Sequence, residues 1–246
     1  MAEDTLIEAR NIYKIFGDKA VHDGIDLNVK RGEILTLMGG SGSGKSVLLR
    51  MFIGLEKPTR GKIFYNGQCI SDMTEEQLVS VRKKVAYVFQ YGALFDSFTV
   101  FENLAYPLRE HTTLSESEIS DKVAETLQKV GLDGTQESLP SDLSGGMQRR
   151  VGVARSIIMN PEVILYDEPT TGLDPYNTKQ ILKIITQLKE QGVTSVLVTH
   201  DMASIFSVTD RVAFLRGGKI RSLGNVNEIQ SSNDPVLQGF ISGEMM

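Results

Sequence analysis

A glycine-rich stretch between an apolar run and a helical pattern limits most strongly what this chain can fold into. Residues 34–55 read ILTLMGGSGSGKSVLLRMFIGL, in which Gly39, Gly44, Lys45 and Ser46 fit the P-loop pattern G-x-x-x-x-G-K-[ST]. The glycines let several backbone N–H groups approach one anion, and the helix that follows directs its positive end to the same point. The stretch therefore predicts a strand, a phosphate-binding loop and a helix.

We expect every residue of this loop to contact the nucleotide. Lys45 adds a full charge on a long side chain, and Ser46 offers a hydroxyl to Mg²⁺, whose shell phosphate oxygens and water complete. The expected nucleotide contacts are Gly39, Gly40, Ser41, Gly42, Ser43, Gly44, Lys45, Ser46 and Val47. A merely flexible turn is the alternative, and the position between strand and helix disfavours it.

A second motif, VILYDEP, supplies two adjacent carboxylates at the end of an apolar run. Residues 163–166 are typical of a central parallel strand, and neighbours on a strand point to opposite sides. We therefore expect Asp167 to face Mg²⁺ and Glu168 to act on the attacking water as base or orienter. A surface turn is the alternative for an isolated DEP, and the preceding run makes it the weaker interpretation.

A third apolar run, TSVLVTH, ends at His200. A lone histidine is more often structural than catalytic. At the carboxyl end of a parallel strand, where α/β sheets gather their ligands, a γ-phosphate contact becomes the favoured interpretation.

The stretch SDLSGGMQRR predicts a second helix that begins with bare glycines. Ser144 is a suitable N-cap, whereas Gly145 and Gly146 each cost a helix about 1 kcal/mol against alanine. A serine and exposed glycine amides at a helix N-terminus form an anion site. Because one nucleotide does not need two such sites from one chain, we expect this one to serve the nucleotide of a partner chain.

Taken in order, GGSGSGKS, VFQ, LSGGM, VILYDEP, TTGLDP and THD resemble the nucleotide-binding subunits of ABC transporters over nearly the whole chain. The resemblance implies a head-to-tail homodimer that encloses two ATP molecules with Mg²⁺ and drives a multispanning permease. It implies that Phe16 stacks on adenine, with Tyr13 as the alternative. It also implies that Gln90 senses Mg²⁺ and water.

Further roles follow from the same resemblance. Asp174 would couple the two sites of the dimer, and Ser144 with Gly146 would contact the opposing γ-phosphate. The chain departs from the family at Met147, where glutamine is usual. Since the contact uses the serine and backbone amides, we expect hydrolysis to survive this change.

The predicted fold is α/β: a P-loop NTPase (RecA-like) parallel-sheet core with an antiparallel β flank and an inserted α-helical subdomain. LIEARNIYKIF and IDLNVKRGE alternate as strands do, and GKIFYNGQCI predicts a hairpin with a type I′ turn at Asn66-Gly67. Ser115 and Glu118 form a capping box for a helix that ends at Gly131. We divide the chain into a core and β flank, a helical subdomain and a tail: 1–90 with 161–224, 91–160, and 225–246.

Aromatic side chains are concentrated in YVFQYGALFDSFTVFENLAY, residues 87–106. The segment is interrupted by polar residues and glycine, which makes it poor material for one buried element. The resemblance implies that the permease docks here, and aromatic residues are favoured at interface centres. We expect permease contacts from Tyr91, Phe95, Phe98 and Phe101, whereas Tyr87 and Phe89 fill the joint between subdomains.

A narrower resemblance lies in GALFDSFTVFENLAYPLREHT and DPVLQGFISG, which are similar to the MlaF-type ATPases of MCE-associated phospholipid transporters. It implies an MCE-domain lipid-binding partner, phospholipid movement between inner and outer membrane, and a place on the cytoplasmic face of the inner membrane. Residues 233–243 of the tail would help hold the dimer. An importer ATPase for a small solute and a non-transport ABC ATPase stay as alternatives, while a P-loop kinase or GTPase would leave LSGGM unexplained.

Composition limits the remaining classes. With 246 residues, 41% of them apolar, the chain can build one large α/β domain. A net charge of -5 argues against nucleic acid as a partner. Neither a run of eighteen apolar residues nor a signal-like start is present, so we expect membrane contact through the permease only. The single cysteine, Cys69, is expected to be structural.

Overall fold

The computed structural model describes residues 4–244. Residues 1–3, and residues 245–246 of the predicted tail, lie outside this range. Within this range the strands form two sheets. In chain order they are β1 (Thr5–Phe16), β2 (Lys19–Lys30), β3 (Ile34–Met38), β4 (Arg60–Tyr65), β5 (Gln68–Cys69), β6 (Val85–Val88), β7 (Val163–Asp167), β8 (Thr194–Val198), β9 (Arg211–Arg216) and β10 (Lys219–Asn225).

The first sheet is antiparallel and has the order β2-β1-β4-β5. Its long strands alternate apolar and polar residues because only one face is buried. At the β4–β5 turn, Asn66 has φ 47° and Gly67 has φ 77°, as a type I′ turn requires. The sheet confirms the predicted antiparallel flank.

The second sheet has the order β10-β9-β3-β8-β7-β6, with β9, β3, β8, β7 and β6 parallel and β10 antiparallel to β9. Strands β3 and β8 are buried along their whole length, which accounts for their uninterrupted apolar character. The loops after β3, β7 and β8 leave the same edge of the sheet because these strands are parallel. This edge gathers the P-loop, the carboxylates and His200.

Helices connect and cover the sheets. They are α1 (Lys45–Met51), α2 (Glu75–Arg82), α3 (Val100–His111), α4 (Glu116–Lys129), α5 (Gly145–Ile157), α6 (Pro175–Glu190), α7 (Met202–Val208), α8 (Val226–Gln230) and α9 (Pro235–Ile241). The predicted capping box is present: the Glu118 backbone N–H donates to Ser115 Oγ and Glu118 accepts from the Ser115 N–H. Thr99 and Glu102 form an equivalent box at the start of α3. None of the described helices is long and apolar enough to cross a membrane.

Among the described residues, buried apolar side chains form three clusters. One lies where α1 packs between the antiparallel sheet and the parallel sheet, and a second joins α3, α4, α5 and α6 to the opposite face of the parallel sheet. The third holds the tail: Leu237 is fully buried, and the Phe240 ring lies 5.2 Å from that of Phe214 on β9. The tail therefore packs on its own chain, and the dimer contact predicted for 233–243 stays a prediction.

Candidate active site

The P-loop joins β3 to α1 and at two of its glycines approaches neighbouring atoms too closely for a side chain. Gly44 caps α1 with φ 98°, and a Cβ there would lie 2.6 Å from His22 Nε2. A Cβ on Gly39 would lie 2.4 Å from the carbonyl oxygen of Leu215. Gly39 and Gly44 are therefore required by packing as well as by the phosphate that the loop is predicted to hold.

Lys45 lies inside the loop with 6% of its surface exposed. Its Nζ donates hydrogen bonds to the carbonyl oxygens of Gly39, at 2.8 Å, and Gly40, at 3.0 Å. Burial lowers the pKa of Lys45, and the carboxylates of Glu168 and Asp167 oppose that shift. The ammonium group therefore lies inside the loop, where a bound phosphate can replace the backbone carbonyls as the hydrogen-bond acceptor.

Asp167 ends β7 and is held from two sides. Ser46 Oγ donates to Asp167 Oδ1 at 2.6 Å, and Tyr87 OH donates to Asp167 Oδ2 at 2.8 Å. Burial and the bond to Asp167 raise the pKa of the Tyr87 hydroxyl, which keeps it a donor. The prediction that Tyr87 merely fills a joint between subdomains missed this polar contact.

The pair of Ser46 and Asp167 fits Mg²⁺ in its chemistry, since a hydroxyl and a carboxylate oxygen lie side by side. Among the described residues no cluster of three or more His, Cys, Asp and Glu could hold a metal ion alone. An ion at this pair would need further oxygen ligands from phosphate and water. That requirement matches the limited protein ligation typical of Mg²⁺ at phosphate sites.

Glu168 follows β7 in a constrained conformation. Its φ is 49°, in the left-handed region, which costs a non-glycine residue about 1 kcal/mol. Its N–H donates to the Val198 carbonyl oxygen at 2.9 Å, and its Oε2 accepts from Thr171 Oγ at 2.8 Å. His200 Nδ1 lies 3.4 Å from the same Oε2. Two neighbouring strand ends therefore bring the predicted base and the predicted γ-phosphate contact together.

A cleft of about 370 Å³ lies beside the P-loop and Glu168. It is lined by Phe16, Lys19, Val21, Ser41, Gly42, Gly44, Lys45, Ser46, Val47 and Glu168. The Phe16 side chain is 45% exposed, and Lys14 Nζ lies 4.5 Å from the centre of its ring. Phe16 thus offers an aromatic face at the cleft, whereas the alternative, Tyr13, is not among the lining residues.

Gln90 follows β6 and is partly exposed. Among the described residues no hydrogen bond joins it to Ser46, Asp167 or Glu168. Its expected role as a sensor of Mg²⁺ and water stays a prediction.

The signature residues lie at the start of α5. Ser144 Oγ accepts from the Met147 N–H at 3.3 Å, and space is open beside Gly145. A Cβ on Gly146 would lie 2.2 Å from Asn177 Cγ, so this glycine lets α5 approach α6. None of the three predicted signature contacts lines the cleft of the same chain.

Arg149 links α5 to the nucleotide site, and Asp174 caps the neighbouring helix α6. Arg149 is buried and donates to the carbonyl oxygens of Thr171, at 3.2 Å, and Glu168, at 3.4 Å. Asp174 caps α6 through the Asn177 N–H at 2.9 Å, and hydrogen bonds to Asn177 lower the pKa of Asp174. Sequence reasoning missed Arg149, although its place in LSGGMQRR marks it as a cation on the buried helix.

A second cleft, of about 450 Å³, lies between the helices and β6, and we call it the aromatic groove. It is lined by Val79, Arg82, Lys83, Ala86, Tyr87, Phe89, Ala93, Phe95, Tyr106, Pro107, His111, Arg155, Ser156, Met159 and Pro161. Of these, Phe89, Phe95 and Tyr106 are large exposed rings.

The four predicted permease contacts do not share one environment. Phe95 lines the groove, and Phe98 packs beside it with ring centres 5.1 Å apart. Tyr91 is 77% exposed outside the groove. Phe101 packs against the buried helical cluster, with the Arg109 guanidinium 5.7 Å from its ring centre. The structure thus brings only part of the predicted set to one surface, and it adds Phe89 and Tyr106.

Comparisons with known proteins agree with this geometry. Residues 22–171 match the family described as ABC transporter. The intermembrane phospholipid transport system ATP-binding protein MlaF of Escherichia coli K12 is 40% identical over 239 residues, covering 97% of this chain and 89% of that protein. The probable ribonucleotide transport ATP-binding protein mkl of Mycobacterium leprae is 38% identical over 238 residues, covering 96% of this chain and 69% of that protein.

Solved structures show the same fold. A dimeric ATP-binding cassette in a post-hydrolysis state, bound to ADP and Pi, superposes with a TM-score of 0.84 and 31% identity. The superposition covers 90% of this chain and 99% of the cassette.

Proposed function

The chain belongs to the ABC transporter family, and from this premise we propose that it hydrolyses ATP to drive a membrane permease that moves phospholipids. The observation that carries the ATPase assignment is the meeting of five polar groups at one edge of the parallel sheet. They are Lys45, Ser46, Asp167, Glu168 and His200.

Each of these groups has a distinct task in phosphoryl transfer to water. The P-loop amides and Lys45 bind the β- and γ-phosphates, and His200 contacts the γ-phosphate. Glu168 accepts a proton from the attacking water, since its carboxylate is oriented by Thr171 and by the strained backbone. Ser46 and Asp167 would hold Mg²⁺, which when bound neutralises charge on the phosphate oxygens.

The cleft of one chain lacks the contacts that Ser144, Gly145 and Gly146 can provide. We therefore propose a head-to-tail homodimer in which these residues face the partner's γ-phosphate, and Asp174 lies between the two sites. The solved cassette with the same fold is dimeric, which supports a dimer. Mixing Ser144→Arg with Lys45→Ala chains should leave at most one sound site per heterodimer. Full turnover from each chain acting as a monomer would contradict the homodimer.

The proposed substrate class comes from the relatives. One relative is named for phospholipid transport and another for ribonucleotide transport, and the first has the higher identity and the greater coverage of its own length. We therefore favour phospholipids. The proposed partners are a multispanning permease seated in the aromatic groove and an MCE-domain lipid-binding protein, which would place this chain on the cytoplasmic face of the inner membrane.

A pull-down tests this proposal. The tagged Glu168→Gln chain would be recovered from detergent-solubilised native membranes, and proteins and lipids would be identified by mass spectrometry. Recovery of a permease, an MCE-domain protein and phospholipid above the level of a mock purification is the expected result. Recovery of another permease with a solute-binding protein would retain the ATPase and overturn the lipid substrate.

A further inference from the structure

Tyr87 on β6 connects two surfaces that the proposed function uses separately. Its hydroxyl reaches the carboxylate of Asp167 at the nucleotide site, and Tyr87 is also one of the residues that line the aromatic groove. Within the described residues, no other groove-lining side chain has a hydrogen bond to Asp167.

At the nucleotide end, the two oxygens of Asp167 have different partners. Oδ1 accepts from Ser46 Oγ at 2.6 Å and Oδ2 accepts from Tyr87 OH at 2.8 Å. A carboxylate held at both oxygens cannot rotate freely about its Cβ–Cγ bond. The Tyr87 bond therefore keeps Oδ1 directed toward Ser46 Oγ, so that the two oxygens that would bind the cation lie side by side.

Toward the groove, Tyr87 contacts Phe89 through its ring and α5 through its backbone. Its ring centre lies 4.5 Å from that of Phe89, whose side chain is 41% exposed. Ser156 on α5 donates from its hydroxyl to the Tyr87 carbonyl oxygen at 3.4 Å. A segment that fills the groove would contact Phe89, and through Phe89 the ring that carries the hydroxyl.

We propose that Tyr87 is a positioning residue that orients Asp167 for the divalent cation and makes this orientation sensitive to occupancy of the aromatic groove. The inference rests on the proposed ATPase, which it deepens by naming a physical connection between the docking surface and the metal-binding carboxylate. The connection consists of one aromatic side chain, so a single-atom change can sever it.

The first test removes only the hydroxyl. Tyr87→Phe keeps the ring and its contact with Phe89. Tyr106→Phe is the matched control, because Tyr106 lines the same groove and has no hydrogen bond among the described residues. Binding of Mn²⁺ by the full-length chain with a non-hydrolysable ATP analogue would be measured by electron paramagnetic resonance. We expect roughly tenfold weaker Mn²⁺ binding for Tyr87→Phe, as loss of a hydrogen bond to a charged group implies.

Tyr106→Phe should bind Mn²⁺ as the wild type does, and analogue binding without a divalent cation should change by less than about twofold in both variants. In turnover assays, Tyr87→Phe should need more Mg²⁺ for half-maximal rate and recover most of kcat when Mg²⁺ saturates. A merely structural role would instead lower thermal stability and kcat with the Mg²⁺ midpoint unchanged. Wild-type Mn²⁺ binding by Tyr87→Phe would overturn the proposal.

The second test addresses the groove. In the detergent-purified complex with the permease, the Mn²⁺ affinity of the wild-type chain should differ from that of the isolated chain, and this difference should shrink in Tyr87→Phe at equal permease content. An unchanged difference would show that the groove signal bypasses Tyr87.

A different result would contradict the proposed ATPase function without contradicting the role of Tyr87. A wild-type chain that binds Mn²⁺ with the analogue and hydrolyses no ATP, alone or in complex, would overturn the ATPase and leave the Tyr87 measurement intact.

Discussion

The edge of the parallel sheet and the aromatic groove are built on opposite principles. At the sheet edge, polar side chains already have partners within the chain: Lys45 is 6% exposed and bonded to backbone carbonyls, and Asp167 is held by two hydroxyls. At the groove, large apolar rings remain in water, with Phe95 and Tyr106 each 45% exposed. The first region is preorganised for a small charged ligand, whereas the second exposes aromatic surface to solvent.

The difference separates groups that the chain positions by itself from rings that the proposed permease would cover. Preorganised dipoles and charges need no partner protein to bind phosphate, because the strands fix them. Exposed aromatic rings around a cleft are typical of a surface that a second protein buries. Substitutions should therefore separate chemistry at the sheet edge from assembly at the groove.

The largest effect is expected at Glu168. Glu168→Gln keeps the shape of the side chain and removes the base, so turnover should fall by about 10²- to 10⁴-fold while ATP still binds and the closed dimer accumulates. Phosphate release and ATP binding would be measured on the same preparation. Glu190→Gln, an exposed carboxylate at the end of α6, is the control. Normal turnover in Glu168→Gln would remove the assignment.

A smaller loss is expected in nucleotide binding at Lys45. Lys45→Ala removes a buried charge-assisted donor, and ATP affinity should fall by roughly 10- to 100-fold. Lys19→Ala removes a lysine that lines the same cleft in an exposed position, where solvent screens its charge, so its effect should be several times smaller. Equal losses of ATP affinity for the two variants in a calorimetric titration would show that Lys45 contributes no more to ATP binding than an exposed lysine does.

Substitutions in the aromatic groove should change binding to the permease and leave the ATP affinity of the isolated chain unchanged. Phe95→Ala should weaken capture of the permease by about tenfold with ATP affinity of the isolated chain unchanged. Phe101→Ala is the contrasting variant, because that ring packs against the helical core, and it should reduce the free energy of unfolding by about 2 kcal/mol. If both variants only destabilise the chain, the groove is no docking surface.

The smallest effect is a pH dependence under the P-loop. His22 is fully buried, and its Nε2–H donates to the Gly44 carbonyl oxygen at 3.0 Å. Burial lowers the pKa of His22, so the unfolded chain takes up a proton first as pH falls below about 6.5. The free energy of unfolding should then fall as the pH is lowered from 6.5 to 5.5.

His22→Gln should flatten this part of the stability curve, which denaturant titrations at each pH would measure. The matched control is His111→Gln, since His111 is exposed and should leave the slope in place. An unchanged slope in His22→Gln would assign the pH dependence to other groups.

Local signals explain how much could be predicted. The P-loop, the strand-end carboxylates and the Ser115–Glu118 capping box are defined by residues within a few positions of one another, so their pattern is visible in one dimension. Long-range contacts lack such a pattern. The bond from Tyr87 to Asp167 spans 80 positions, and an aromatic residue in an apolar strand signals burial without revealing what its hydroxyl reaches.

The aromatic segment shows the same limit. Tyr91, Phe95 and Phe101 follow one another at short intervals, yet they lie in water, in the groove and against the helical core. Which environment each ring enters depends on how α3 and α5 pack against β6, and a sequence of aromatic residues does not encode that packing.

By itself, the sequence determined the strand–loop–helix unit at Gly39–Ser46, the paired carboxylates after a buried strand, the antiparallel flank and the family. The physical reason is that glycine conformation, strand alternation and helix capping act between near neighbours in the chain. Only the tertiary structure decided that Tyr87 and Ser46 hold one carboxylate, that the signature residues stay off the cleft of their own chain, and which rings form the groove. Those outcomes depend on how elements far apart in sequence pack against one another, because packing and hydrogen bonding there are determined by the whole fold.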